Sequence, residues 1–194
     1  NLLFIIVLIF FSSQAFSQVN YKVNSPDGKL KVEIFTEGQI EYIVTSGNII
    51  LLEKSPISMT LSNGTTFGVN GRLINVERFH VNELINSHYY KKNVIKNNYN
   101  ELVLFFEGEY NIIFRVYNDG IAYRMRTDLE NPIEIKSEEV LFNFPENSMA
   151  YTPYVFNNGS IDTFEKQFFN SFESHYEYIS LIDWDPKRLA FLPL

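Results

Sequence analysis

The segment FESHYEY holds the densest set of side chains that could perform acid–base chemistry or bind a metal ion. Glu173, His175 and Glu177 alternate along it, so on a β-strand they would share one face. Two carboxylates can act as acid and base across a glycosidic bond, and a carboxylate–imidazole set can hold a metal. The alternative is the polar outer face of a half-buried strand, opposite Phe172, Tyr176 and Tyr178. Any half-buried strand shows such alternation, which favours the second interpretation.

Other candidate side chains are scattered along the chain. The three histidines lie far apart in sequence: His80, His88 and His175. Three aspartates lack a recognisable metal-ligand spacing: Asp162, Asp183 and Asp185. Trp184 could stack on a sugar, but a position at a rim or an interface is favoured. No nucleophile elbow, zinc-protease motif, phosphate loop or EF-hand occurs, so the sequence assigns no catalytic, cofactor-binding or metal-binding residue.

The stretch RVYNDGIAYRMR carries three arginines around turn residues: Arg115, Arg124 and Arg126. If Asp119 and Gly120 form a two-residue turn, paired residue numbers sum to 239. Val116 then faces Tyr123 and Phe114 faces Met125 on one apolar face. On the other face Arg115 lies opposite Arg124, and Arg126 lies beside Ile113.

Opposed arginines cost stability unless carboxylates lie nearby. The local candidates are Glu107, Glu109 and Asp128. One interpretation is a solvated face with loose ion pairs, each of which contributes little. The other is a face that docks against another acidic surface.

The remaining pattern predicts β-strands at short intervals, separated by turn residues. The strands are predicted at residues 29–35, 40–46, 57–61, 101–108, 111–117, 121–127, 140–144 and 174–182. The segment ELVLFFEG is apolar on both faces, which is typical of a central strand covered on two sides. Residues 76–85 could form a short helix, although their β-branched side chains argue against it. This spacing predicts an all-β, antiparallel sandwich.

Composition limits the partners and the location of the chain. Its net charge is −7, and Lys91-Lys92 is too short a basic run for a nucleic-acid footprint. Residues 1–18 combine an apolar run too short to span a bilayer with the A-x-S sequence Ala15-Phe16-Ser17, which predicts an incomplete signal peptide. The absence of cysteine fits a periplasmic or outer-surface protein of a Gram-negative bacterium.

RVYNDGIAYRMR resembles the R-x-Y-x-D-G-x-A-x-R hairpin in the N-terminal domain of glycoside hydrolase family 97. Further segments resemble that domain in the same order: NSPDGKLKVEIF, the step Ser55-Pro56-Ile57, NNYNELVLFFE, SFESHYEYISL and LAFLPL. Together they cover nearly all of Val19–Leu194, the stretch predicted to form the N-terminal β-sandwich domain.

This resemblance implies a galactose-mutarotase-like β-supersandwich that packs against a catalytic (β/α)8 barrel of the same polypeptide. Family members hydrolyse terminal α-glucosides or α-galactosides, with retention or inversion, and use carboxylates and a calcium ion. The carboxylates lie mostly on the barrel, and a calcium-binding Glu is expected in a Thr-Glu-x-Asp-like segment after the LPL sequence. This chain stops at Leu194, so no family site residue is carried over, and the chain alone is expected to be inactive.

A second hypothesis remains open from the residues themselves. The chain has 12 tyrosines and 18 phenylalanines, and Trp184 is available for stacking. These aromatic side chains would suit a stand-alone carbohydrate-binding or adhesion sandwich. Aromatic content by itself does not make a site, which favours the glycosidase domain.

Overall fold

The computed structural model describes residues 20–89, 91–156, 163–171 and 173–191. Nearly all regular structure in these ranges is β-strand, and every strand pairing is antiparallel. Two sheets enclose a shared hydrophobic core. The predicted fold class, an all-β antiparallel sandwich, is confirmed.

The first sheet is built from the N-terminal half of the chain and one later strand. Its strands are β1 (Asn20–Asn24), β2 (Leu30–Phe35), β3 (Ile40–Ser46), β4 (Ile49–Leu61), β5 (Thr66–Phe67) and β10 (Ile135–Val140). The order is β1-β2-β3-β4-β10, with β5 paired to β4. The turn between β1 and β2 forms because Gly28 supplies a positive φ of 75° and the Ser25 hydroxyl donates to Asp27 at 2.7 Å.

The second sheet is a four-stranded meander in sequence order. It contains β6 (Leu73–Asn86), β7 (Val94–Phe106), β8 (Tyr110–Tyr117) and β9 (Ile121–Thr127). The possible helix at residues 76–85 is wrong, because this segment lies inside β6 and pairs along its whole length with β7. Its β-branched side chains suit a pleated strand better than a helix.

The core lies between the two sheets and is rich in aromatic rings. Tyr42 from the first sheet is fully buried, with its ring 5.7 Å from those of Phe114 and Tyr123. At one end Tyr110 stacks between Phe67 and Phe106, at centroid distances of 4.4 and 5.0 Å. These contacts fix how the second sheet lies on the first.

Strands β7 and β8 are buried on both faces. In β8, Ile112, Phe114 and Val116 enter the shared core, while Asn111 and Ile113 on the opposite face are also buried. In β7 the same holds for Val103, which points away from the core yet is buried. The prediction of a doubly covered central strand at residues 101–108 is therefore confirmed, and β8 shares this property.

The C-terminal part of the chain contains short elements. These are β11 (Met149–Thr152), the one-turn helix α1 (Phe164–Gln167), β12 (Glu177–Ser180) and a 3-10 turn (Leu181–Asp183). Gln167 is buried and joins two segments: its amide donates to Lys187 O, and its carbonyl accepts from Leu189 N, each at 2.7 Å. In the C-terminal part of the chain, these buried hydrogen bonds hold the segments together in place of a large apolar core.

Two predicted strands in this part of the chain are wrong in extent. The strand expected at residues 140–144 instead ends at Val140, and Asn143 bonds through its backbone and side chain to the middle of β4. The strand expected at residues 174–182 is reduced to Glu177–Ser180. In both cases side-chain and turn hydrogen bonds replace the sheet ladder that the hydrophobic pattern predicts.

Within the four described ranges, no helix is both long and apolar enough to cross a membrane.

The buried hydroxyl of Tyr42 generates a prediction about alkaline stability. This hydroxyl has no hydrogen-bond partner among the described residues, and burial raises the pKa of Tyr42 from 10.0 to about 12. Because the folded-state pKa exceeds the unfolded-state value, the stabilisation is complete below pH 10 and is lost as pH rises towards 12. We expect Tyr42→Phe to keep the wild-type stability at pH 8 and to reduce the loss of unfolding free energy at pH 11 by about 1–1.5 kcal/mol, because pH 11 lies only midway between the two pKa values.

Urea unfolding at pH 8 and pH 11 measures both effects. Tyr89→Phe, at a fully exposed position, is the matched control and should follow the wild type at both pH values. If the unfolding free energy of Tyr42→Phe falls between pH 8 and pH 11 by as much as that of the wild type, the raised pKa of Tyr42 is not a cause of the alkaline loss.

Candidate functional site

The arginine-rich hairpin is present, but its register differs from the predicted one. Strands β8 and β9 pair Arg115 with Ala122 and Ile113 with Arg124, so that paired numbers sum to 237. A hydrogen bond from Tyr117 N to Gly120 O at 2.8 Å closes the turn, so Asn118 and Asp119 are its two central residues. The predicted turn, with Asp119 and Gly120 at its centre and Arg115 opposite Arg124, is therefore wrong.

A shift of two residues leaves every side chain on its predicted face, because side chains alternate with a period of two. The apolar face with Phe114 and Val116 packs into the core, as expected. The three arginines share the opposite face, and the shift relieves the direct opposition of two guanidinium groups.

Arg115 is tied to the neighbouring strand β7. Its Nε lies 2.5 Å from Oε2 of Glu101, which is the residue directly opposite it, and its guanidinium lies 4.5 Å from the centroid of the Tyr99 ring. Burial lowers the pKa of Arg115, but the hydrogen bond and the charge of Glu101 outweigh burial and hold the pKa above its ordinary value. Arg115 is a fixed positive charge held by its own sheet.

The proposed local carboxylates are not the partners of Arg115. Glu107 pairs with Arg72 at 2.9 Å, and Glu109 lies at a tight turn with a φ of 58°. Asp128 lies 3.6 Å from Arg126, so it does serve one arginine of the hairpin. The pairing register of β7 with β8 identifies Glu101 as the partner, but no pattern in the sequence indicates that register.

Arg124 differs from the other two arginines. It is exposed, and it has no acidic partner within the part of the chain that the structure describes. It borders a shallow depression of about 150 Å³, whose walls come from β8 and β9: Ile113, Arg115, Tyr117, Ala122, Tyr123 and Arg124. Among the described residues, this depression therefore presents the neutralised guanidinium of Arg115 and the unpaired guanidinium of Arg124 to an external acidic group.

The acid–base candidates of FESHYEY do not form one strand face. Only Glu177 lies in β12, while Glu173 and His175 precede the strand and are exposed. Glu177 instead pairs with Arg188 at 3.4 Å. Phe172 lies outside the described residues. The geometry supports neither a glycosidase carboxylate pair nor a metal site at this segment.

Trp184 is used inside the domain. Its ring lies 5.2 Å from that of the buried Tyr154, and the guanidinium of Arg188 lies 3.7 Å from the same tyrosine ring. The indole is half buried by this packing. A structural role accounts for Trp184 better than sugar stacking does.

The other candidates occupy separate segments. His80 lies on β6 and bonds through Nδ1 to Asn100 Oδ1 at 2.8 Å, whereas His88 is exposed on the connection after β6. Asp185 accepts from Lys187 N at 2.9 Å, Asp183 is exposed, and Asp162 lies outside the described residues. Within the described ranges, no group of three or more His, Asp and Glu side chains gathers to hold a metal ion. These residues therefore do not fit a calcium ion, and the expectation of calcium remains a prediction about other residues.

Comparison with known proteins identifies the family. A family model described as Glycosyl-hydrolase 97 N-terminal matches residues 23–194. The chain belongs to this family. The resemblance of the arginine hairpin and its flanking strands to a family 97 N-terminal domain is confirmed.

Relatives of this family 97 N-terminal domain are longer proteins. A retaining alpha-galactosidase of Bacteroides thetaiotaomicron is 38% identical over 194 residues, which is 100% of this chain and 29% of that protein. The crystal structure of a beta-arabinopyranosidase matches with a TM-score of 0.66 and 25% identity, over 81% of this chain and 26% of that one. The domain thus spans less than a third of the length of either relative.

Solved family 97 enzymes share the same fold at lower identity. An enzyme from Pseudoalteromonas sp. strain K8 in complex with panose gives a TM-score of 0.65 at 18% identity, covering 84% of this chain and 25% of that one. The same enzyme in complex with acarbose gives 0.63 at 19% identity, with the same two coverages. At these identities the likeness shows the fold of the family 97 N-terminal domain.

Glu101 and Glu173 differ in burial and in ion pairing, and this difference tests whether Glu101 is the structural partner of Arg115. Glu101 is only 13% exposed at its side chain and neutralises Arg115, which is 35% exposed. We expect Glu101→Gln to lower the free energy of unfolding by about 1–3 kcal/mol, because a partly buried guanidinium loses its counter-charge.

Glu173→Gln is the matched control, because Glu173 is exposed and has no ion-pair partner among the described residues. Its effect should stay within about 0.5 kcal/mol. Urea denaturation of the two variants measures the difference. A larger loss of unfolding free energy for Glu173→Gln than for Glu101→Gln would contradict a structural role for the Glu101–Arg115 ion pair.

Proposed function

We propose that this chain is the N-terminal sandwich domain of a secreted, calcium-dependent exo-α-glycosidase, in which it braces the active site of a catalytic (β/α)8 barrel. The observation that carries the proposal is the 38% identity to a retaining alpha-galactosidase over the whole of this chain. The match uses only 29% of that relative, and we place the catalytic residues in the polypeptide beyond the matched region.

An α-galactoside is the favoured substrate. The relative at 38% identity is an alpha-galactosidase, whereas the enzyme crystallised with panose and acarbose is only 18–19% identical to this chain. Because that relative is a retaining enzyme, we propose that hydrolysis proceeds with retention. An α-glucoside is the alternative substrate within the same family.

The bracing role is supported by large apolar side chains that remain exposed in the C-terminal part. Leu141, Phe142 and Phe144 follow one another on a segment that Asn143 ties to β4 through hydrogen bonds to Ser55 Oγ and to Lys54 O. Further exposed residues of this kind are Phe156, Phe164, Phe168, Phe169 and Ile182. Soluble monomers rarely expose so many large apolar groups without a binding role.

Charge supports the same role on the second sheet. Arg124 presents a guanidinium without an acidic partner in the described ranges, beside the anchored Arg115. A carboxylate on the barrel surface would complete this face through charge-assisted hydrogen bonds.

Secretion and calcium are part of the proposal and rest on sequence and family. The apolar start of the chain and its Ala15-Phe16-Ser17 sequence, which lie outside the described residues, support export to the periplasm or outer surface of a Gram-negative bacterium. Calcium would be held by carboxylates outside the described residues, where it would supply positive charge to the active site.

Expression of the complete gene tests the proposed activity. We expect the full-length protein to hydrolyse p-nitrophenyl α-galactoside faster than the α-glucoside. Chelation with EDTA should abolish the activity and added calcium should restore it. Residues 19–194 alone should be inactive. Full-length protein that cleaves neither substrate, or that is unaffected by EDTA, would contradict the corresponding part of the proposal.

Arg124→Ala in the full-length protein tests the docking face. Removal of a guanidinium that pairs across a buried domain contact should destabilise that contact by about 2–5 kcal/mol. Differential scanning calorimetry should show a lower melting temperature and the activity assay a lower kcat/KM. Lys29→Ala, an exposed charge on the turn after β1, is the control and should match the wild type. Unchanged melting and activity in Arg124→Ala would refute the docking role.

A further inference from the structure

The two-stranded ribbon of β11 and β12 has one face that is aromatic and open to solvent. In its antiparallel register Tyr151 lies directly opposite Tyr178, and Met149 lies opposite Ser180. The two tyrosine rings are 4.6 Å apart with an interplanar angle of 32°, and the residues are 62% and 58% exposed. Cross-strand aromatic pairs of this kind stabilise each other and form a rigid unit.

The opposite face of the ribbon anchors the pair. Thr152 is fully buried there, and Ala150 and Ile179 are half buried. A hydrogen bond from Leu181 N to Ser148 O extends the strand pairing at one end, and beyond the other end of β11 Tyr154 forms a β-bridge to Ala190 on a separate segment. The tyrosines therefore stand on a fixed backbone, so a ligand would lose little of its binding free energy in ordering them.

The polar ends of the two rings distinguish this face from the exposed phenylalanines. Neither phenol hydroxyl has a hydrogen-bond partner among the described residues. A tyrosine offers an apolar ring beside a donor and acceptor group, which suits a partner that is itself apolar on one face and hydroxylated at its edge. A pyranose ring has that composition: its axial C–H bonds form an apolar face and its hydroxyl groups surround it.

We propose that Tyr151 and Tyr178 form a sugar-stacking site for oligosaccharides or polysaccharides that contain the glycoside cleaved by the complete protein. The exposed face of one ring packs against the apolar face of a pyranose. The phenol hydroxyls and the hydroxyl of Ser180 bond to the sugar hydroxyls. The choice of sugar rests on the proposed function, whereas the stacking geometry does not.

Affinity gel electrophoresis of the full-length protein tests the proposal. Galactomannan and amylose, each cast in the gel, are the probes. We expect at least one polysaccharide to retard the wild type. Tyr151→Ala and Tyr178→Ala should each weaken the association about 3- to 10-fold. Tyr151→Phe should keep most of the retardation, because the ring that stacks is still present.

Two controls separate sugar binding from loss of structure. Tyr89→Ala changes an exposed tyrosine on the connection between β6 and β7 and should migrate as the wild type. The alanine variants should lower the melting temperature by no more than about 2 °C, the share of the lost cross-strand pair. They should keep wild-type kcat/KM on p-nitrophenyl α-galactoside, a substrate too short to report on polysaccharide contacts.

Three results would overturn the proposal. The first is wild-type protein that is retarded by neither polysaccharide. The second is wild-type retardation in both alanine variants. The third is a fall in melting temperature of more than about 5 °C in both variants, which exceeds the loss of the cross-strand pair and would mean that the rest of the polypeptide buries the tyrosines. Tyrosine-dependent retardation in a protein without glycosidase activity would support this site while refuting the proposed function.

Discussion

The burial of β7 and β8 on both faces is the constraint on which the rest of the structure depends. Phe114 and Val116 pack the second sheet against the first, while Val103 and Ile113 are buried on the opposite face of the second sheet. If a strand covered on both faces shifted by one residue, the side chains buried on each face would move to the other face. The same register fixes Glu101 opposite Arg115 and so determines which charges on the outer face remain free.

Sequence patterns predicted most of the strands that lie against the core, missed β1 and β6, and failed where other forces dominate. Alternation and apolar runs located β2, β3, β7, β8 and β9, because burial of one face imposes a period of two. The predicted register of the β8–β9 hairpin was wrong by two residues, because local backbone geometry decides which two residues form the centre of the turn. The segment at residues 140–144 has a strand pattern, yet Asn143 is bound to the middle of β4 and ends the ladder.

Site prediction met the same limit. FESHYEY alternates in sequence, but β12 begins only at Glu177, so the alternation does not become a shared face. Tyr151 and Tyr178 gave no sequence signal, because they lie on strands far apart in the chain and meet only through the pairing of β11 with β12. A cross-strand pair of this kind can be read only after the register is known.

The exposed surface divides into three chemical types, and each indicates a different contact. Leu141, Phe142 and Phe144 have no polar ends and suit a dry protein interface. Arg124 suits an acidic group, and the paired tyrosines suit a hydroxylated ring. A domain with such surfaces is consistent with a part of a larger protein, and the relatives that it matches are more than three times its length.

Sequencing the gene downstream of Leu194 decides whether this domain braces a barrel. We expect the frame to continue into an acidic segment of the Thr-Glu-x-Asp type and then into alternating strand and helix patterns. The added length should be comparable to the remaining 71% of the alpha-galactosidase relative, of which this chain covers 29%. A stop codon directly after Leu194 would contradict this expectation, because the sandwich would then have no barrel to brace.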